Sequence, residues 1–160
     1  NYPADYNVFA LVRTDDKKCI FPDAKLRQVV SDKIGKEFIG TLEDDMIIHT
    51  ILDLEQFIGQ EISWVSGKTF DEIIKRRNDT TTYLPTPTMR FCTTEMKLNP
   101  IFEWWYKNLN TPVEMQIGFR ANEMRRAKTM QEKTNKDGIL EFKTIIGKTK
   151  TGNRLSLIHI

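Results

Sequence analysis

The sequence predicts an α/β domain in which strands alternate with helices. Short runs rich in β-forming residues occur at Tyr6 to Val12 and at Glu61 to Ser66, and a third run, "PVEMQIGF", covers 112–119. Behind the second run, Thr69 and Glu72 have the spacing of a capping box, which marks the start of a helix. A strand followed by a capped helix is the basic unit of α/β folds.

Helical spacing of apolar residues predicts the clearest helix in "DDMIIHTILDLEQFIG", residues 44–59. Its apolar face is formed by Ile47, Ile51, Leu54 and Ile58, and Gly59 marks its end. The segment 78–89, with two prolines and five threonines, is predicted to be a loop that leads into "RFCTTEMKLNP", a short helical stretch ended by Pro100. Asn99 and Pro100 then form an N-cap and first-turn pair for a helix over "IFEWWYKN".

The composition is that of a soluble domain with a hydrophobic core. Of the 160 residues, 39% are hydrophobic and 29% are charged. The net charge of +2 is too small to indicate a nucleic-acid partner, and no apolar run approaches the roughly eighteen residues that a membrane span needs. The sequence therefore predicts neither a membrane protein nor a targeting segment.

Few residues are available as soft metal ligands. The chain has two cysteines, Cys19 and Cys92, and two histidines, His49 and His159. A structural zinc site or an iron–sulfur cluster generally needs a full set of thiolate or imidazole ligands, so we expect no bound metal. Widely separated cysteines in an ordinary polar sequence favour reduced thiols and a cytoplasmic location.

Both ends of the chain predict an incomplete gene. The sequence begins at Asn1 rather than at methionine and enters a strand almost at once. The last six residues, "LSLIHI", resemble the translation of an adapter used in preparing sequencing libraries. We therefore expect a partial nucleotide-binding domain over 1–154 and a non-native tail over 155–160.

Basic residues are concentrated in one segment. Residues 118–154 hold ten Lys or Arg against four Asp or Glu. A helix that starts at Arg120, where a strand ends, turns its backbone N–H groups toward the carboxyl edge of the sheet, and anions bind at such edges. Guanidinium groups suit phosphate or sulfate oxygens; the alternative is that the same arginines are surface residues paired with Glu123 or Glu132.

These segments resemble one protein family. "LPTPTMRFCTTEMKLNP" followed by "IGFRANEMRRA", with "VSGKTFDEII" upstream, is similar to the phosphoadenosine phosphosulfate (PAPS) reductase family of the adenine nucleotide alpha-hydrolase superfamily, and most of all to its phage-type and uncharacterised members. The resemblance runs from about Asn1 to Met130. It implies a doubly wound, mainly parallel, Rossmann-like sheet with flanking helices, incomplete here at both ends, and an adenosine nucleotide across the carboxyl ends of the strands.

The resemblance also implies roles for named residues. The residues that would surround the phosphate or sulfate are Arg90, Lys97, Arg120 and Arg126. The turn after the first strand would lie near the adenosine, through Arg13, Thr14 and Asp15. Further pocket residues would be Cys92, Thr93, Gly118 and Glu123.

The chain departs from the family in ways that limit what can be assigned. The Ser-Gly-Gly-x-Asp-Ser-like phosphate loop has no counterpart, and its place would be before Asn1. No counterpart of the nucleophilic cysteine near the C-terminus of the reductases occurs either, so no catalytic residue is assigned and we expect the fragment itself to be inactive. The Cys-Cys pair of cluster-containing members would read Phe91-Cys92, which argues against a cluster. Cys92 is either a packing residue or a reactive thiol.

Three functions follow as hypotheses. The first is reduction of PAPS or adenylyl sulfate with a thioredoxin-type reductant, in which a cysteine attacks the sulfur. The second is cleavage of ATP between its α and β phosphates to adenylate a partner in sulfur transfer or nucleic-acid modification. The third is a non-catalytic module that binds a nucleotide or a nucleic acid, although the basic segment has few aromatic residues for stacking.

Overall fold

The structure is a computed structural model that describes residues 4–75, 84–86, 88–109, 114–119, 125, 128 and 154–159. The chain divides into two compact units, Asn1–Tyr106 and Lys107–Ile160. The first unit begins with β1 Asn7–Ala10, α1 Ala24–Ile34, α2 Met46–Ile58, β2 Ile62–Val65 and α3 Phe70–Ile74. A 3₁₀ turn, Lys17–Cys19, lies between β1 and α1.

Strands β1 and β2 pair in parallel, from Asn7 opposite Ile62 to Ala10 opposite Val65. The Leu11 N–H continues the pairing with a 2.8 Å bond to the Val65 carbonyl. Parallel strands require a crossover connection, which α1 and α2 provide here. Both predicted strands are confirmed, and the protein is a mixed α/β structure within the described residues.

Each crossover helix has an end that a recognisable residue fixes. Helix α2 ends at Gly59, whose left-handed φ of 62° is the conformation that glycine adopts most easily, so this predicted helix and its end are confirmed. Its predicted apolar face is wrong in part, because Leu54 and Ile58 are 42% and 41% exposed and the buried residue is Ile48. Helix α1 has no counterpart among the predicted elements. It begins after Asp23, whose carboxylate accepts the N–H groups of Lys25 and Leu26 at 2.8 and 3.1 Å. These bonds, above all that from Leu26, lower the pKa of Asp23.

The core of the first unit lies between the strand pair and the two crossover helices. Its buried side chains are Leu11, Phe21, Val30, Phe38, Ile48, Ile62 and Trp64. Polar contacts tie the same elements together, because Glu55 of α2 pairs with Lys33 of α1 at 2.9 Å and accepts the Ile62 N–H of β2 at 3.1 Å. Burial alone would raise the pKa of Glu55, but the bonds from Lys33 and Ile62 lower it on balance.

A long helical segment follows. It consists of α4 Phe91–Thr93, a π-helical turn Thr94–Leu98, and α5 Asn99–Asn108. The predicted break at Pro100 is therefore wrong, as is the role of Asn99 as an N-cap, because Asn99 has helical dihedral angles of −56° and −51°. The Asn99 N–H bonds to the Thr94 carbonyl, five residues back, as in a π-helix. Pro100, which has no N–H to donate, therefore lies where the hydrogen-bonding pattern changes from π-helical to α-helical.

The second unit contains a parallel pair of strands, β3 Glu114–Phe119 and β4 Arg154–His159. Strand β3 confirms the strand predicted at "PVEMQIGF". Strand β4 includes most of the predicted non-native tail, whose origin stays a prediction. None of the helices in the described ranges has the length and apolar composition that a membrane-spanning helix requires.

Candidate functional site

Arg13, predicted at the adenosine, is directed into the protein. It is 8% exposed, and its guanidinium donates to Ser66 Oγ at 2.6 Å, to the Glu37 carbonyl at 2.9 Å and to the Gly67 carbonyl at 3.0 Å. These bonds join the turn after β1 to the residues that follow β2. Arg13 therefore stabilises the carboxyl edge of the strand pair, since its donors point at protein oxygens.

Thr14 and Asp15 are held by one carboxylate. The Thr14 hydroxyl donates to Asp71 Oδ2 at 2.7 Å, and the Asp15 N–H donates to the same oxygen at 2.6 Å. Asp71 lies in the first turn of α3, so the helix that follows β2 fixes the turn that follows β1. Burial acts to raise the pKa of Asp71, but the bonds from Thr14 and Asp15 outweigh it and the pKa is lowered.

The Asp15 side chain is exposed but has a fixed direction. Its Oδ2 accepts a 2.7 Å bond from the hydroxyl of Thr69, the N-cap of α3. The predicted capping box is present, because the Thr69 N–H bonds to Glu72 Oε2 at 2.7 Å and the Glu72 N–H bonds to Thr69 Oγ1 at 3.3 Å. Thr69 thus fixes both the helix start and the Asp15 carboxylate.

The helical segment that carries Arg90 and Lys97 packs against the same edge at Gly67. A Cβ at Gly67 would overlap the backbone carbonyl oxygen of Glu95 and would lie 3.3 Å from the Pro100 ring. Only glycine allows this approach, which places the π-helical turn directly beside the end of β2. An ion pair of 3.1 Å between Lys68 and Glu95 accompanies the contact.

Lys97 does not stand alone at this edge. Its ammonium lies 2.5 Å from Glu43 Oε1, and the two side chains are 40% and 28% exposed. A pair this accessible contributes roughly 0–1 kcal/mol to stability. An anionic ligand would therefore meet Lys97 only in competition with the Glu43 carboxylate.

The remaining predicted residues of the "RFCTTEMKLNP" segment lie at the start of α4. Arg90 and Thr93 are exposed, and the Thr93 N–H bonds to the Arg90 carbonyl at 3.1 Å. Cys92 is a free, half-buried thiol. Asn99 places its Oδ1 in a buried position where it has no hydrogen-bond partner among the described residues.

Several predicted residues belong to the second unit. Gly118 lies in β3, whereas Arg120, Glu123 and Arg126 lie outside the described residues. Within the ranges that the structure describes, no group of three or more His, Cys, Asp or Glu side chains is arranged to hold a metal ion.

Sequence reasoning missed the contributions of Asp71 and Glu43. Asp71 lies inside the "TFDE" capping sequence, which indicates a helix start but not a partner 57 residues earlier in the chain. Glu43 contacts Lys97 across 54 residues. No local signal reports such long-range pairs.

Comparison of the chain with protein-family models, with curated proteins and with solved structures found no match.

Proposed function

We propose that the chain binds an adenosine nucleotide at the carboxyl edge of β1 and β2, and that the full protein acts on PAPS or adenylyl sulfate in sulfonucleotide reduction. The observation that carries this proposal is the close approach at Gly67. It brings the "RFCTTEMKLNP" segment to the strand ends that also carry Arg13 to Asp15. Ligands of open α/β sheets bind at such carboxyl ends, and the proposal includes a doubly wound sheet extending beyond this strand pair.

The two ends of the nucleotide have different surroundings in this proposal. The exposed Asp15 carboxylate suits the hydroxyls of an uncharged nucleoside. Thr14, also predicted at the adenosine, is 1% exposed and holds the turn through its bond to Asp71 instead. Lys97 and Arg90 offer positive charge that suits phosphate or sulfate, with bonds worth about 1.5–3 kcal/mol each. Arg120 and Arg126 remain predicted contributors to the anion end. Arg13 acts as a scaffold, because its three bonds hold the strand ends in place.

The proposed reaction transfers a sulfonate group to a thiolate. The thiolate attacks the sulfur, the bond between that sulfur and the bridging phosphate oxygen breaks, and the nucleotide leaves with the electron pair. A thioredoxin-type dithiol then reduces the S-sulfonated cysteine and releases sulfite. The described residues of this chain supply binding and orientation in that scheme, and the nucleophile is left unassigned.

Titration calorimetry tests the binding step. Adenylyl sulfate, PAPS and ATP are titrated into the chain, with GTP as the control for base recognition. Lys97→Ala should weaken binding of the preferred adenosine nucleotide about ten- to a hundredfold. Glu61→Ala, an exposed change at the amino end of β2, should leave it unchanged. Equal affinity for adenosine and guanosine nucleotides, or no effect of Lys97→Ala, would contradict the proposal.

A further inference from the structure

We infer that Asp15 makes the site specific for a nucleotide whose ribose carries free hydroxyls, which favours adenylyl sulfate or ATP over PAPS. The inference rests on the proposed function and deepens it, because the three candidate nucleotides differ at the ribose. PAPS carries a 3′-phosphate, whereas adenylyl sulfate and ATP carry a 3′-hydroxyl. A carboxylate at this position accepts hydrogen bonds from hydroxyls and repels a phosphate.

The Asp15 carboxylate is exposed and oriented. Its Oδ2 is held by the Thr69 hydroxyl at 2.7 Å, and its Oδ1 has no protein donor within the described residues. Its backbone is fixed as well, through the 2.6 Å bond from its N–H to Asp71. An acceptor held at both the main chain and the side chain is pre-organised for a hydroxyl ligand, so little ordering has to accompany binding.

A second carboxylate lies close to Asp15. Asp71 lies directly behind the turn, and its lowered pKa keeps it ionised. Arg13 directs its donors at Ser66 and at two carbonyls. Lys17 and Lys18, which follow in the 3₁₀ turn, are exposed and form no ion pair with Asp15 among the described residues. Lys68 is paired with Glu95, and no Lys or Arg of the described ranges lies within ion-pair distance of the Asp15 carboxylate.

The same chemistry distinguishes dinucleotide sites that bind an unphosphorylated cofactor from those that bind a phosphorylated one. An acidic residue accepts the ribose hydroxyl of the unphosphorylated cofactor, and an arginine accommodates the phosphorylated one. The turn after β1 has the acidic residue, and the arginine beside it faces the protein. Thr69 acts as a positioning residue, because it contacts Asp15 rather than the ribose.

Adenylyl sulfate and PAPS form a matched pair of probes, since they differ only in the 3′-phosphate. Calorimetric titration of the chain should show adenylyl sulfate binding about tenfold more tightly than PAPS at low salt. Asp15→Asn should bring the ratio of the two affinities close to one. In the wild type, added salt should lower this ratio, because it screens the repulsion between the carboxylate and the 3′-phosphate. Thr69→Val should reduce the ratio, whereas Thr69→Ser, which keeps the hydroxyl, should preserve it. Asp53→Asn, an exposed change on α2, is the control.

The outcomes separate this inference from the proposed function. Binding of PAPS as tight as that of adenylyl sulfate, or tighter, would overturn the inference and leave nucleotide binding intact. A preference for adenylyl sulfate that persists unchanged in Asp15→Asn would overturn the role of Asp15. Failure of both probes to bind would remove the proposed function and the inference together.

Discussion

Thr14 and Asp71 share a hydrogen bond of 2.7 Å between Oγ1 and Oδ2, although 57 residues separate them in the sequence. The Asp15 N–H donates to the same oxygen, so one carboxylate joins the turn after β1 to the first turn of α3. Thr14 is 1% exposed, and its hydroxyl has no route to bulk water as a substitute partner. The contact therefore holds together the two segments that form the candidate site.

Removal of the shared carboxylate should destabilise the protein. We expect Asp71→Ala to lower the free energy of unfolding by about 1–3 kcal/mol, because a buried hydroxyl and a backbone N–H lose their acceptor. Asp71→Asn should cost less, since an amide oxygen still accepts. Urea denaturation followed by circular dichroism measures both changes. Asp53→Ala, on the exposed face of α2, should change stability by less than about 0.5 kcal/mol. A similar small change for Asp71→Ala would show that the contact is not stabilising.

The lowered pKa of Asp71 predicts a dependence of stability on pH. Its ordinary value is 3.8 and its folded value lies below that, so folding favours the ionised form. The contribution is fully present above pH 3.8 and is lost as the pH falls through the folded pKa. The difference in unfolding free energy between wild type and Asp71→Asn should stay constant from pH 7 to about pH 5 and shrink in more acidic solution. A difference that grows on acidification would contradict the assigned direction.

The fold could be predicted where local patterns agree with burial. Strands β1 and β2 are short runs of β-forming residues, and helix α2 has helical spacing of apolar residues and a glycine at its end; the structure confirms all three elements. Helix α1 was missed although Asp23 caps it, because Val30 is its only fully buried side chain among the described residues and its apolar pattern is weak. The helix break at Pro100 was wrong for a tertiary reason. Met96 and Phe102, buried on either side of Pro100, hold the two halves in one helical segment.

The site could be predicted only as a set of positions along the chain. A turn after a parallel strand places Arg13 to Asp15 at the carboxyl edge, and that follows from sequence. The sequence does not indicate which of the predicted side chains point into the protein. Arg13 points at Ser66 and at the Glu37 carbonyl, and Lys97 points at Glu43, because these partners are brought close only by the complete fold.

The close approach at Gly67 predicts a strong sensitivity to any side chain there. Gly67→Asn should lower the free energy of unfolding by about 1–3 kcal/mol, because its Cβ would overlap a backbone carbonyl that cannot rotate away. Gly59→Asn is the matched control. That position has open space and a left-handed φ of 62°, which asparagine tolerates better than most residues. Equal loss of stability for the two variants, measured by urea denaturation, would mean that the Glu95 carbonyl can move away from a side chain at position 67.

The pairing of Lys97 with Glu43 predicts that a substitution outside the proposed anion contacts will strengthen binding. Glu43→Gln removes the carboxylate that competes for the Lys97 ammonium, so adenylyl sulfate should bind about two- to fivefold more tightly. In a Lys97→Met background the same change should have no effect, because the freed ammonium is absent. Glu61→Gln, at the amino end of β2, controls for the change in net charge. Tighter binding that persists without Lys97, measured by calorimetry, would show a general charge effect rather than competition for this ammonium.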